Sequence, residues 1–252
     1  MLLGVGVDVR LVRNVEAERH RLVGEAWHKA WRFLGDRSVR TVIDVGANGG
    51  QFAMMVHEIC PAARILSFEP LPDCFRDLET TCDRIPGAKA FNVALGASSG
   101  TALLNRSAFS PSSSLLPMAS RHKALWPKTA EQRPVEVRVC RLDDAIAGID
   151  LEGPVVAKID VQGFEHRVIE GGERTLAAAD IVVVEVAYET LYEGQARFDD
   201  LYSALRRLGF EFRGHIEQFV DDRTGRIVFA DALFEKPGVH TECDAGRELV
   251  RR

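Results

Sequence analysis

Runs of apolar residues along the chain alternate with segments in which apolar positions recur at helical spacing. The run at 180–186 is nearly continuous in valine and isoleucine, which is typical of a strand covered on both faces by helices. We predict five core strands, at residues 41–45, 63–70, 88–95, 155–160 and 180–186. Helical periodicity predicts helices over about 15–34, 72–82, 164–177 and 198–208. Strands that alternate with helices indicate an α/β fold.

The C-terminal part of the chain changes this pattern. Two apolar segments, 211–216 and 226–234, are separated by the turn residues 221–225 and predict an antiparallel hairpin. The whole pattern predicts a doubly wound, mostly parallel sheet with an antiparallel C-terminal hairpin. We expect a helical segment of residues 1–38 packed on the core, one domain over 39–240, and a polar tail of residues 241–252.

A polar segment at 105–133, rich in serine and proline, interrupts the alternation between the third and fourth core strands. A structureless loop of this length inside a compact domain is usually functional or disordered. Both alternatives remain open from the sequence. If the segment is functional, we expect it to be a mobile cover over a site at the strand ends.

The first predicted strand ends in a turn of small residues that leads into a helix. The pattern G-x-G-x-x-G would indicate a dinucleotide site, but Asn48 and Gln51 stand where its second and third glycines should be. The pattern that fits is acidic-x-Gly-x-x-x-Gly, formed by Asp44, Gly46 and Gly50, which resembles the first motif of class I S-adenosylmethionine methyltransferases. The resemblance implies that the turn, including Asn48, cradles the methionine part of this cofactor, and that the acidic residue bonds its ammonium group directly or through water. A strand-turn-helix junction without a ligand is the alternative.

The second apolar run ends in a carboxylate, Glu69, followed by Pro70. Nucleotide-binding α/β domains place a carboxylate at this position, one helix and one strand beyond the first turn, to bond ribose hydroxyls. A methyltransferase uses both hydroxyls in the same way, so Glu69 does not distinguish the two classes. We expect Asn92 and Ala94, at the end of the third strand, to lie beside the adenine.

Composition narrows the range of partners. The chain has 252 residues, 46% of them hydrophobic, which is enough for one sizeable core. Its formal net charge of -5 and its dispersed basic residues argue against nucleic acid as a partner. The five cysteines form no C-x-x-C pair, which favours reduced thiols in a cytoplasmic protein. No apolar run reaches the ~18 residues of a transmembrane helix.

Four motifs occur in an order and spacing that resemble the FkbM family of S-adenosylmethionine-dependent methyltransferases. They are Asn92-Val-Ala-Leu-Gly96, Leu142-Asp143, Lys158-Ile-Asp-Val-Gln-Gly-Phe-Glu-His-Arg-Val-Ile-Glu-Gly-Gly172 and Val184-Glu185-Val186. The resemblance runs from about 41 to 212 and implies a class I methyltransferase fold for the domain at 39–240. It also implies O-methylation of a hydroxyl on a sugar, glycolipid, polyketide or other secondary metabolite. Gln162 stands where the family more often has glutamate.

Two carboxylates lie at the carboxyl ends of neighbouring predicted strands, which is where open α/β sheets bind their ligands. Asp160 and Glu185 are therefore candidate catalytic residues. A protonated aliphatic hydroxyl is a poor nucleophile, so Asp160 would orient the acceptor or take its proton. His166 is the nearby group whose ordinary pKa suits proton transfer near neutral pH, although an exposed histidine in a first helical turn has the same sequence pattern.

Other functions remain possible at this stage. Asp160 and Glu185 are oxygen ligands that suit Mg²⁺, but spacing fixes no third ligand, so we predict no metal site. A nucleotide-cofactor oxidoreductase is disfavoured by the failed glycine spacing, and a non-catalytic cofactor-binding protein would keep the same fold. We therefore expect S-adenosylmethionine as cofactor and a small-molecule or glycan hydroxyl as acceptor.

Overall fold

The computed structural model of the chain describes residues 27–238. Its strands are β1 (Thr41–Val45), β2 (Arg64–Phe68), β3 (Ala88–Phe91), β4 (Ala94–Leu95), β5 (Gly100–Ser107), β6 (Gln132–Cys140), β7 (Val155–Ile159), β8 (Ile181–Ala187), β9 (Glu211–Asp221) and β10 (Arg226–Glu235). Its α-helices after residue 32 are α1 (Phe33–Asp36), α2 (Gln51–Ile59), α3 (Pro72–Cys82), α4 (Ser120–Leu125), α5 (Leu142–Ala145), α6 (Glu165–Gly171), α7 (Glu173–Ala178) and α8 (Phe198–Arg207). Residues 27–31 are also helical.

Seven strands form the main sheet in the order β3-β2-β1-β7-β8-β10-β9. The pairs among β3, β2, β1, β7 and β8 are parallel, whereas β10 is antiparallel to both β8 and β9. All residues of β1 and β7 are buried, because these central strands are covered on both faces. The predicted α/β fold, with a mostly parallel sheet and an antiparallel C-terminal hairpin, is confirmed.

Each face of the main sheet has its own apolar layer. Leucines and isoleucines of α6, α7 and α8 pack on one face, and the other is covered by α2 and the helical residues 27–36. Trp31 is fully buried there, with its ring 4.6 Å from that of Phe52. Most of the predicted N-terminal helical segment and the predicted tail at 241–252 lie outside the described residues. Within the described part, no helix has the length and apolar composition needed to cross a bilayer.

The single third strand predicted at 88–95 is wrong, because the chain leaves the main sheet at Asn92. The Asn92 side chain donates hydrogen bonds to the carbonyl oxygens of Glu69 and Pro70, at 2.9 and 3.1 Å. These hydrogen bonds stabilise a bend in the chain that the pattern of apolar residues does not predict. Beyond the bend, β4 belongs to a separate three-stranded sheet with the order β4-β6-β5.

The segment at 105–133 is also more structured than the sequence predicts. It begins within β5 and ends within β6, which pair antiparallel, and it contains α4. The buried hydroxyl of Ser107 donates to the carbonyl of Thr129 at 2.7 Å, and Asn105 forms a β-bridge with Ser114. The serine-rich composition thus supplies hydrogen bonds within the fold, and the expected structureless loop is wrong.

Candidate active site

A cavity of about 330 Å³ lies where the strands of the main sheet end. Open α/β sheets bind ligands at this edge, and the volume is within the range of small-molecule sites. Its lining comes from the β1–α2 turn, the ends of β2, β7 and β8, the segments 93–95 and 110–115, and the C-terminal hairpin. The cavity therefore brings together parts of the chain that are distant in sequence.

Two positions in the turn after β1 require glycine, each because of a different neighbour. Gly46 has φ +86°, and a Cβ there would lie 1.9 Å from the carbonyl oxygen of Asp160. Gly50 has φ +89°, and a Cβ there would lie 2.8 Å from Cγ2 of Thr81 on α3. Only glycine fits either position without displacement. Gly46 and Asn48 line the cavity, whereas Gly50 serves the packing of the turn against α3.

Asp44 is fully buried and is not among the residues that line the cavity. Its Oδ2 accepts a hydrogen bond from Ser67 at 3.4 Å, and Oδ1 has no partner among the described residues. Burial raises the pKa of Asp44 to about 6, although the positive charge of Lys158 acts in the opposite direction. The predicted bond to a cofactor ammonium group would therefore have to pass through water.

Glu69 lines the cavity and bridges two turns. Its Oε2 accepts from the backbone N–H of Asn48 at 2.9 Å, and its Oε1 from that of Leu71 at 2.8 Å. Burial raises the pKa of Glu69 to about 7 despite these bonds. Each carboxylate oxygen accepts more than one hydrogen bond, so both can still receive ribose hydroxyls. Of the two residues that we expected beside the adenine, Ala94 lines the cavity and Asn92 does not.

The acidic end of the cavity is formed around the end of β7. Lys158 Nζ is 3.0 Å from Oδ2 of Asp160. Gln162 donates from Nε2 to Oδ1 of Asp160 at 2.9 Å and to the two carboxylate oxygens of Glu185 at 3.1 and 3.2 Å. The structure therefore brings the predicted catalytic carboxylates Asp160 and Glu185 together at one place.

Two further carboxylates extend this acidic end and were missed by sequence reasoning. Asp231 on β10 pairs in register with Glu185 on one side and with Glu217 on the other, and all three side chains line the cavity. Burial is the main cause that raises the pKa of each, to about 7 for Asp231 and well above the ordinary value for Glu185. The signal was a single aspartate inside the apolar run of β10, but its partners depend on strand register.

His166 is not among the residues that line the cavity. It lies on α6, its Nδ1 is buried without a hydrogen-bond partner in the described part of the chain, and burial lowers its pKa. The structure does not bring His166 to the cavity wall beside Asp160. Its catalytic role stays a prediction.

One wall of the cavity comes from the segment that the sequence suggested as a cover. Asn48 Nδ2 donates to Ser110 Oγ at 3.0 Å, and Ser114 Oγ donates to the carbonyl of Gln162 at 2.7 Å. The segment is thus bonded to both the first turn and the acidic end. Whether it moves on ligand binding stays a prediction.

Comparison with known proteins identifies the family. The model of the methyltransferase FkbM domain matches residues 44–212, which is more than half of the chain. The chain belongs to the FkbM family of methyltransferases. The predicted family is thus confirmed, and the sheet order of this FkbM methyltransferase agrees with the predicted class I fold.

Named relatives of this FkbM methyltransferase are themselves methyltransferases. The 2-O-methyltransferase NoeI of Sinorhizobium fredii is 28% identical over 202 residues, covering 76% of this chain and 81% of its own. The hexuronic acid methyltransferase AglP of Haloferax volcanii is 30% identical over 192 residues, covering 70% and 74%. Among solved structures, the methyltransferase FkbM from Methylobacillus flagellatus KT covers 79% of this chain and 44% of its own, at 14% identity and a TM-score of 0.48.

The buried carboxyls predict an unusual dependence of stability on pH. Their folded-state pKa values lie above the ordinary ones, at about 6 for Asp44 and about 7 for Glu69, Glu165 and Asp231. The folded protein therefore holds protons that the unfolded chain releases above about pH 4.5. This contribution to the free energy of unfolding is complete at low pH and is lost as the pH rises through about 6 to 7.

We expect the melting temperature of the ligand-free protein to fall between pH 5 and pH 8 in a thermal unfolding series. Among the described residues, burial lowers the pKa of His122, His166 and His215, and these histidines act in the opposite direction below about pH 6.5. We expect the effect of the carboxyls to be larger. Asp231→Asn removes one of the carboxyls and should flatten the curve. A melting temperature that rises steadily from pH 5 to pH 8 would contradict this expectation.

Proposed function

We propose that this FkbM methyltransferase uses S-adenosylmethionine to methylate a hydroxyl of a sugar, glycolipid, polyketide or other secondary metabolite. The observation that carries the proposal is the two-ended cavity. One end has Glu69 among apolar side chains, and the other has Asp160 and Glu185. A nucleoside suits the first end, and a hydroxyl that must lose a proton suits the second.

The residues of the cavity fit this cofactor. Val93 and Leu95 supply an apolar surface for the adenine, and Glu69 is placed for the ribose hydroxyls. S-adenosylmethionine carries two positive charges, on its sulfonium and ammonium groups, and the sulfonium supplies an activated methyl group. The acidic end, together with buried Asp44, whose Oδ1 has no hydrogen-bond partner among the described residues, offers more negative charge than Lys158 balances.

The carboxylates at the acidic end take different parts in the mechanism we propose. Burial and neighbouring negative charges raise the pKa of Glu185 well above its ordinary value, which favours its protonated form, and we assign it the role of a hydrogen-bond donor to the acceptor. Asp160, ion-paired with Lys158, accepts the proton of the reacting hydroxyl. The wall formed by 110–115 excludes water from the reacting atoms.

The names of the relatives support the choice of acceptor. One is called a 2-O-methyltransferase and another a hexuronic acid methyltransferase. Both names point to oxygen-bearing acceptors, and the second to a sugar. We therefore propose a hydroxyl of a sugar or similar compound as the acceptor for this chain as well.

The test begins with calorimetry of the wild-type protein against S-adenosylmethionine, its demethylated product and NAD. The protein is then incubated with S-adenosylmethionine and a panel of methyl glycosides and polyketide alcohols, and mass spectrometry follows the gain of a methyl group. Cofactor binding and methyl gain on a hydroxyl would support the proposal. Cofactor binding without transfer to any hydroxyl would indicate a non-catalytic binding protein, and preference for NAD would indicate an oxidoreductase.

Glu69→Ala should weaken S-adenosylmethionine binding by about 1–3 kcal/mol, because ribose hydroxyls lose their acceptor inside a buried site. Calorimetry of the folded variant measures this loss. Glu79→Ala is the matched control, since Glu79 is exposed on α3 and should leave the affinity unchanged. Glu69→Ala also leaves the backbone N–H groups of Asn48 and Leu71 without their acceptor, so its unfolding should be measured in parallel. Unchanged affinity in the folded variant would remove Glu69 from the cofactor site.

A further inference from the structure

Gln162 occupies the turn between β7 and α6 in a left-handed backbone conformation, with φ +57°. Residues other than glycine rarely adopt this conformation unless their surroundings hold them there. Here the buried carboxylate of Glu165 accepts hydrogen bonds from the backbone N–H groups of Val161 and Gly163, both at 3.0 Å. The backbone on either side of Gln162 is therefore fixed, and its side chain lies in the cavity.

The side-chain amide of Gln162 is the group that joins the two catalytic candidates. Its Nε2 is 2.9 Å from Oδ1 of Asp160 and 3.1 Å from the nearer oxygen of Glu185. An amide nitrogen has two N–H donors, so one can serve each residue. Lys158 donates a hydrogen bond to the remaining oxygen of Asp160, so the Asp160 carboxylate is held by Gln162 on one side and by Lys158 on the other.

The hydroxyl of Tyr192 fixes which way this amide points. Tyr192 is 1% exposed, and its Oη donates to Oε1 of Gln162 at 2.9 Å. A reversed amide would place its oxygen against two acidic side chains and would no longer accept the hydrogen bond from the hydroxyl. Tyr192 also contacts the carbonyl of Ser112, at 3.1 Å, so the orientation of the amide is tied to the cavity wall at 110–115.

We propose that Gln162 is a positioning residue that holds Asp160 and Glu185 side by side for the acceptor hydroxyl, with Tyr192 holding the amide. This inference rests on the proposed function for its catalytic meaning. Gln162 itself transfers no proton, because an amide neither gains nor loses one in this pH range. Its effect is to keep two acidic side chains at the spacing that one hydroxyl can reach.

Two substitutions at Gln162 test the proposal, with side-chain ¹³C NMR titration of Asp160 and Glu185 as the first measurement. Gln162→Met keeps the length of the side chain and removes both donors, so both carboxyl midpoints should rise by about one pH unit. Gln162→Glu adds a third acidic group and should raise them further. Tyr192→Phe should produce a smaller rise in the same direction, and it provides the same measurement if Gln162→Met fails to fold.

The second measurement is turnover with whichever methyl glycoside or polyketide alcohol the wild-type protein methylates. For Gln162→Met we expect kcat to fall on the order of 10-fold or more, with the dissociation constant for S-adenosylmethionine within about threefold of the wild-type value. Gln162→Glu should also lower kcat at pH 6, and this deficit should narrow as the pH rises to 8, because Asp160, with its raised midpoint, then loses its proton. Gln218→Glu is the matched control, since Gln218 is exposed on β9 and should change neither measurement.

Unchanged carboxyl midpoints in folded Gln162→Met would overturn the proposal, as would an equal loss of turnover in Gln218→Glu. The titration requires neither cofactor nor acceptor. A wild-type protein that binds no S-adenosylmethionine and methylates no hydroxyl would therefore defeat the proposed function, whereas unchanged midpoints would defeat the role of Gln162.

Discussion

Asp160→Asn is expected to lower kcat on the order of 10²-fold or more while the affinity for S-adenosylmethionine stays within about threefold of the wild-type value. The substitution keeps the shape of the side chain and removes the carboxylate that accepts the proton of the reacting hydroxyl. Asp160 follows β7 and Glu69 follows β2, two strand positions apart in the main sheet, and both line the cavity. Calorimetry for the cofactor and initial rates with the identified acceptor separate the two quantities.

The same substitution also removes the ion-pair partner of Lys158. Burial alone would lower the pKa of Lys158, but the charges of Asp160 and Asp44 raise it, so the lysine stays charged. In Asp160→Asn, Lys158 keeps Asp44 as its register neighbour on β1, and we expect a reduced melting temperature in a protein that still folds. Rates should therefore be compared well below the melting temperature of the variant.

Asp222→Asn provides the matched control for this result, because Asp222 is exposed in the turn between β9 and β10. It makes the same chemical change far from the proposed reaction and should retain wild-type turnover. Wild-type turnover by Asp160→Asn itself would remove Asp160 from the mechanism. Attention would then move to Glu185, which shares the amide of Gln162.

Local sequence signals predicted the parts of the site that depend on neighbours in the chain. The strand-turn-helix pattern around Gly46 and the carboxylate at the end of β2 are both local, and the structure places Gly46, Asn48 and Glu69 on one cavity. The alternation of strands and helices also predicted the parallel part of the sheet, because β1 with β2, β2 with β3, and β7 with β8 pair through short crossovers.

The remaining features depend on contacts between distant residues. Asp231 and Glu217 enter the site through the register of β10 with β8 and β9, which no local pattern specifies. The bend at Asn92 depends on carbonyl groups of residues 69 and 70, more than 20 positions earlier. Spacing alone suggested His166 as a partner of Asp160, but helix α6 does not bring it to the cavity wall.

The first turn and the end of β7 approach so closely that one added methyl group should disrupt both. Gly46→Ala is expected to lower the free energy of unfolding by ~3 kcal/mol or more. The new Cβ would lie 1.9 Å from the carbonyl oxygen of Asp160, a distance that real Cβ atoms essentially never show. Relief requires movement of backbone, because the Asp160 N–H is itself bonded to the carbonyl of Val45 at 3.0 Å.

Gly209→Ala separates this overlap from backbone strain alone. Gly209 has φ +92°, close to the +86° of Gly46, but no atom of residues 27–238 lies within 4 Å of its added Cβ. Alanine there should cost only the left-handed conformation, about 1–2 kcal/mol. Urea unfolding followed by circular dichroism measures both variants. We expect a clearly larger loss at Gly46. The folded Gly46 variant should also bind S-adenosylmethionine more weakly, because the displaced turn carries Asn48, which lines the cavity. Equal losses in the two variants would mean that glycine is required at position 46 only for its left-handed backbone conformation. The contact of the turn with the end of β7 could then relax at little cost.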